Sequence, residues 1–416
     1  MKQKKDFQYR IETILLNPIC LFSILNIVLF VLYSLDIYYF KFIQIPSRNV
    51  VLIFISIFLI ISGMISASFL FLYSHFIRPS QKIYYYDYDR SKLVFLFEVV
   101  GFVALAIKLI YFVRYFGFPT NLSFFGGVRI AYLSGVFIYP SLLDPLILLL
   151  WPVVITYFVL YRIFGKSIHM KHFVLVFFLL LLNDVIIGGR GVVVFLTFLV
   201  LLYYLYIDNL LFKKTVNKKK LLLLLLFTLI FVIALGLSRT RIEGGIKEKI
   251  LYGMNEIILY LLGPFPATSL VLDQYLNGNI QNSMGLFTFG GLLRLFINYE
   301  PSFGYVPIYA NLNYGFNSFT CIAYLFSDFG IIGSAIFLFL LGFLTSYFYY
   351  KLRYNFTILR LVVFVNLIAL LLLYERDIIS KWVSWWLCFL SIPMIKQNIK
   401  TQWIRKNGKW KEYKNE

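Results

Sequence analysis

Residues 50–73 read VVLIFISIFLIISGMISASFLFLY, an unbroken apolar run that carries no charged side chain. Coiled as an α-helix at about 1.5 Å per residue, such a run spans the ~30 Å hydrocarbon core of a bilayer. Because hydrocarbon offers backbone N–H and C=O groups no water to bond, a segment in that medium pairs them internally and is a helix. Similar runs recur along the chain, and the composition agrees: of 416 residues, 61% are hydrophobic and only 14% charged.

Hydropathy predicts about ten spans, at roughly 14–35, 49–73, 93–112, 142–162, 171–187, 191–207, 220–237, 326–350, 356–374 and 382–396. The expected fold class is an all-α polytopic membrane protein, a single integral membrane domain over 1–416. One large extracytoplasmic loop, 238–319, is expected to carry short re-entrant or interfacial helices, because its apolar segment ILYGMNEIILYLLGPFPATSLVLDQYL is interrupted at GPFP, residues 263–266.

The net charge of +20 raises nucleic acid as a partner, but the basic residues argue against it. With the N terminus inside, about 25 of the 39 lysines and arginines fall in alternate, cytoplasmic segments. Those segments include Lys2 to Arg10, Arg78 to Lys92, Arg162 to Lys171, Lys213 to Lys220, and the tail 397–416. The charge therefore reports orientation, both termini are expected in the cytoplasm, and the tail reads as an inner-leaflet anchor. The basic start MKQKKDFQYR lacks a small-residue cleavage site and is expected to lead into an uncleaved first helix. Cys20, Cys321 and Cys388 lack metal or disulfide spacing.

On the opposite side the basic residue of choice changes from lysine to arginine. Arg129, Arg190, Arg239, Arg241, Arg294 and Arg376 fall there, together with Arg114. Arginine's planar fork binds phosphate oxygens in a bidentate way and keeps its charge in a partly dry site, so an anionic lipid headgroup is the expected ligand. Arg190 stands in the hairpin GGRG between two spans, where glycines permit a tight reversal. Candidate general bases on this side are Glu243, Glu248, Glu256, Asp273, Glu300, Asp328, Glu375 and Asp377, of which Glu256 and Asp328 stand out because each interrupts an apolar or aromatic stretch. Asp184, near the end of a span, is expected to partner such an arginine. The pair Asp87 and Asp89 and the histidines His75, His169 and His172 fall on the cytoplasmic side. Metal-independent chemistry without a cofactor is the expectation.

The stretch VPIYANLNYGFNSFTCIAYLFSDFGIIGSAIFLFLLG, residues 306–342, resembles the Wzy-type polymerases of bacterial O-antigen and capsule. There an Asn/Thr-containing outer segment leads to a D-F-G-x-x-G helix start. The GGRG hairpin and the Ser-Arg ending of span seven are similar to the same family, whose layout has the look of a GT-C-like bundle. The resemblance implies glycosyl transfer between undecaprenyl-diphosphate-linked oligosaccharides at the outer face of a bacterial plasma (inner) membrane. It further implies a chain-length-regulating co-polymerase as a partner alongside membrane lipid. In that chemistry the arginines, with Asn317 and Tyr305, would hold substrate while a carboxylate takes the acceptor proton. A ligase moving the finished chain, a transporter or flippase of the same lipid-linked sugar, and a non-enzymatic scaffold are the alternatives.

Overall fold

The computed structural model describes residues 2–35, 42–77, 82–118, 123–186, 191–215, 217, 219, 222, 259, 261–278, 283–293, 303, 306–308, 315–316, 318–374, 382–406 and 409–413. The first elements are α1 (Lys2–Leu15), α2 (Pro18–Ser34), α3 (Ser47–Ile77), β1 (Lys82–Arg90), α4 (Lys92–Phe116) and α5 (Ser123–Leu133). Then come α6 (Leu143–Leu148), α7 (Leu150–Phe164), α8 (Ser167–Ile186), α9 (Gly191–Tyr206), α10 (Pro264–Leu276) and α11 (Gly290–Leu293). The last are β2 (Val306–Pro307), β3 (Gly315–Phe316), α12 (Cys321–Tyr354), α13 (Ile358–Leu372), α14 (Val383–Leu387), α15 (Ser391–Met394), β4 (Ile395–Lys406) and β5 (Lys409–Tyr413).

Among the described residues six helices are long and apolar enough to cross a membrane, or seven if one bent pair is a single span. Their surfaces agree with a lipid surround. Phe58 and Phe69 on α3, and Phe95 and Ile110 on α4, are each about two-thirds exposed, and their helices present many more apolar side chains. A continuous apolar surface on that scale is at home against lipid and not against water. The chain is a helical membrane protein, and it packs as two compact units.

Unit one comprises residues 1–80 and 255–386. The expected span 14–35 is bent by 68° between Tyr9–Leu15 and Pro18–Ser34. Pro18 disfavours helix at the residue before it, so Asn17 turns extended (ψ 131°) and its side chain accepts from the Ile19 N–H at 3.0 Å, starting a new helix. The unit's core is the crossing of α3 and α12, where glycine brings the backbones together. A Cβ on Gly63 would lie 2.1 Å from the Phe339 carbonyl oxygen, and one on Gly342 would lie 2.0 Å from that of Ile60. Close approach through small residues is how helices gain dispersion contacts where no hydrophobic effect drives them together. Two hydroxyls in these helices bond inside their own turn, Ser56 to the Leu52 carbonyl at 2.8 Å and Thr345 to that of Leu341 at 2.7 Å, which satisfies them without water.

Two expected features of this unit can be placed. The span expected from 326 starts earlier, at Cys321, but α12 breaks at Gly330 (φ 68°, ψ −172°), a conformation glycine adopts without strain, so its long second segment begins directly after the D-F-G triplet. The expected break at GPFP is present: residues 259, 261 and 262 are helical, Gly263 is a turn, and α10 begins at Pro264. Pro264 and Pro266 occupy the first turn of α10, where a missing N–H costs no hydrogen bond, so the prolines restart the helix after the turn. Between α11 and α12 a two-residue ribbon pairs Val306 with Phe316 and Pro307 with Gly315.

Unit two comprises residues 81–254 and 387–416. Its centre is α7, in which every side chain from Leu150 to Leu160 is buried. The expected span 220–237 lies outside the described residues, apart from isolated positions. Beside its helices the unit carries a sheet that was not expected: β1, β4 and β5 form a three-stranded antiparallel sheet in the order β1-β4-β5. The tail 397–416 is thus not a simple extension but mostly two strands of a sheet, β4 pairing with β1 from Lys82↔Ile404 to Arg90↔Ile395. The segment KIYYYDYDR is rich in aromatic and β-branched residues that favour strands, and Asn407-Gly408 between β4 and β5 is a strong hairpin signal.

Candidate functional site

Of the side chains the sequence singles out, Arg190, Arg239, Arg241, Arg294, Arg376, Asn317, Tyr305, Glu243 and Glu256 lie outside the described residues. Arg129 falls within α5. Asp328 is fully described, and its geometry is that of a fastener. Its Oδ1 accepts from the Ser283 hydroxyl at 2.5 Å and the Phe287 N–H at 3.1 Å. Its Oδ2 accepts from the Thr288 N–H and hydroxyl, both at 2.6 Å. A carboxylate has about four lone-pair sites. All four are taken, and the residue is 2% exposed, so nothing remains to receive a substrate proton. Asp328 ties the turn ahead of α11 to α12, and Phe287 in that turn stacks at 4.5 Å on Phe303, which also packs on Phe319 and Tyr324. The Phe303 ring is thus taken up by these neighbours.

A second polar knot in unit one joins α3 to α10. Arg48 donates through Nε and Nη2 to Asp273 Oδ1, at 3.1 and 2.6 Å, and Asn49 donates to the same oxygen at 3.0 Å and to the Ser269 hydroxyl at 2.8 Å. Asp273, a candidate base by its place in the sequence, is thereby a helix-to-helix tie. The Arg48 side chain is 55% exposed, so the ion pair itself adds little stability.

The more chemically suggestive cluster is in unit two. Lys108 stands within α4 with a side chain 0% exposed, a costly place for an ammonium unless it is paired. It donates to Asp144 Oδ1 at 2.6 Å and to Asn183 Oδ1 at 3.0 Å, which binds α4 to α6 and α8. Asp184 beside Asn183 is 2% exposed and adds its own attraction. The other oxygen of Asp144 accepts from the Tyr139 hydroxyl at 2.6 Å, and the Lys108 ammonium lies 4.8 Å from the Tyr139 ring centroid. Burial, and then the adjacent Asp144 carboxylate, push the Tyr139 phenol far above its ordinary range, so it remains a donor. The Tyr132 ring stacks on that of Tyr139, centroids 6.4 Å apart. Asp144 differs from its partners in being 36% exposed, so the cluster is open at its carboxylate.

At the other end of α4, Glu98 accepts from the Tyr157 hydroxyl at 2.7 Å and meets His172 Nδ1 at 2.8 Å, with the His172 ring stacked on Tyr157 at 4.8 Å. Arg162 pairs with Asp208 and sits 5.0 Å above the Tyr204 ring. No protein-family model, curated protein or solved structure matches this chain.

Sorting basic residues by loop passes over Lys108, which belongs to no loop. The signal was nevertheless present: VALAIKLIYFV carries one lysine inside a predicted span, and an ionisable group there is a site by default. Nothing local in YPSLLDPLIL marks Asp144 as its partner, because that pairing spans 36 residues.

Proposed function

We propose that the chain polymerises undecaprenyl-diphosphate-linked oligosaccharide repeat units into O-antigen or capsule on the extracytoplasmic face of a bacterial plasma membrane. The observation that carries the reading is the sorting of cations in the sequence: arginine dominates one set of alternate loops and lysine the other, beside the D-F-G-x-x-G pattern at 328–333. In this reading the chain crosses ten times, both termini are cytoplasmic, and residues 238–319 lie outside.

A hydroxyl of the incoming unit attacks the anomeric carbon of the growing chain, forming the new glycosidic bond. The bond from that carbon to the lipid diphosphate breaks, and the diphosphate leaves with the electron pair. Arg190, Arg239 and Arg241 stabilise the charge that builds on it. A carboxylate, Glu243 or Glu256, takes the hydroxyl proton. Asp328, with its lone pairs spent, is left out of that role.

A transporter of the same lipid-linked sugar is the second reading, and one observation favours it. The helices hold the Lys108–Asp144–Asn183 and Glu98–Tyr157–His172 clusters, and polar groups inside several helices are characteristic of transporters. Surface glycan from cells lacking the protein, run on a gel, separates the readings. Single-unit glycan in place of a ladder is the expected result; loss of all surface glycan points to transport, and an unchanged ladder removes both.

A further inference from the structure

We infer that Asp144, with Tyr139 and Tyr132, forms a subsite for a neutral, hydroxyl-rich ligand, the sugar of the lipid-linked substrate. The inference rests on the glycan substrate of the proposed function and adds a binding group that the sequence reading did not contain.

Charge decides the ligand class. Asp144 is 36% exposed, yet its oxygens already accept from the Lys108 ammonium and the Tyr139 hydroxyl, both at 2.6 Å. An ammonium at that distance repels a metal ion, and the carboxylate repels a phosphate. An apolar tail would desolvate the carboxylate without replacing its hydrogen bonds. A hydroxyl donor suffers none of these penalties, and two of the four lone-pair sites remain for it.

The direction of the bonds agrees. An ionised carboxylate only accepts, so Tyr139 donates to Asp144, as Lys108 does. The Lys108 ammonium and the Tyr139 hydroxyl thus both point at Asp144, whose partly exposed carboxylate carries the acceptor strength of the cluster. Tyr132 and Tyr139 are half-buried, and an amphipathic ring beside a carboxylate matches a sugar's mixture of C–H faces and hydroxyl edges. Lys108 is a positioning residue: buried under Asp144, it fixes the carboxylate's orientation from α4.

The test compares two probes on the full-length protein in nanodiscs: the lipid-linked repeat unit extracted from cells lacking the protein, and undecaprenyl diphosphate without sugar. Truncating Asp144 alone would strand a buried ammonium and unfold the unit. The variant is therefore the neutral pair Lys108→Gln with Asp144→Asn, which keeps polar contact without charge. Wild-type protein is expected to bind the sugar-bearing probe about 10-fold more tightly than the bare lipid, as loss of a charged hydrogen bond implies. In the double variant the gap should close while bare-lipid affinity holds. If the double variant does not fold, Tyr132→Ala, which leaves the Lys108–Asp144 pair in place, carries the same comparison. A gap that persists, a parallel fall in bare-lipid binding, or a wild-type protein without the gap overturns the subsite. Failure of the polymerase reading is separate: binding that discriminates as expected with no lengthening of glycan would leave the subsite standing.

Discussion

Leucine in place of Gly342 is expected to eliminate the folded protein. The reason lies in the crossing of α3 and α12, where the first atom of any side chain at 342 would lie 2.0 Å from the Ile60 carbonyl oxygen and 2.9 Å from its carbon. Both are backbone atoms of a helix, so no rotamer change relieves the clash. The helices must separate, and separation also opens the reciprocal contact at Gly63, 2.1 Å from the Phe339 oxygen. Overpacking against flexible side chains costs about 1–3 kcal/mol; against two backbones in a lipid-facing unit with no hydrophobic effect to restore contact, the cost should exceed that range. Fluorescence-detected size exclusion of the tagged protein reads the outcome. The monodisperse peak should fall to about a tenth or less, with alanine at 342 intermediate, whereas a wild-type peak for leucine would show that the crossing is looser than described.

Arg190→Ala and Arg239→Ala should each abolish polymer with membrane protein levels unchanged. If each guanidinium grips the diphosphate as charge develops, its removal costs about 10²-fold or more in rate, enough to erase a ladder. Lysine should rescue poorly, because a point charge cannot supply the two parallel hydrogen bonds of a planar fork. Ladder length in cells carrying each variant, normalised to protein level, measures this. Near-normal chain length in both alanine variants would remove the arginine grip from the account.

What the sequence told about the fold follows from the solvent it must satisfy. The runs at 49–73, 93–112, 142–162, 171–187 and 191–207 correspond to α3, α4, α6 with α7, α8 and α9, because hydrocarbon admits only helices and their length is set by its thickness. Breaks inside apolar runs were harder to see. Pro18 and Gly330 bend or interrupt segments of uniform hydropathy, and averaging over a window hides a single residue's φ preference. The sheet was missed because KIYYYDYDR and the tail are more than 300 positions apart, so its pairing is non-local, although the Asn407-Gly408 signal was there to read. In the candidate site the same division holds. Asp328 was conspicuous as a carboxylate in an aromatic stretch, but only the fold reveals that Ser283, Phe287 and Thr288 consume its lone pairs. Lys108 was conspicuous too, and its partner Asp144 becomes visible only when α4 and α6 are packed together.

The central claim is that this protein lengthens lipid-linked glycan by its own chemistry. Purified protein in liposomes, supplied with undecaprenyl-diphosphate-linked repeat units and a chelator, tests it most directly. The account predicts a ladder of products spaced by one repeat unit, with free undecaprenyl diphosphate released at each step. Repeat units recovered unchanged in length, or merely moved across the bilayer, would contradict it.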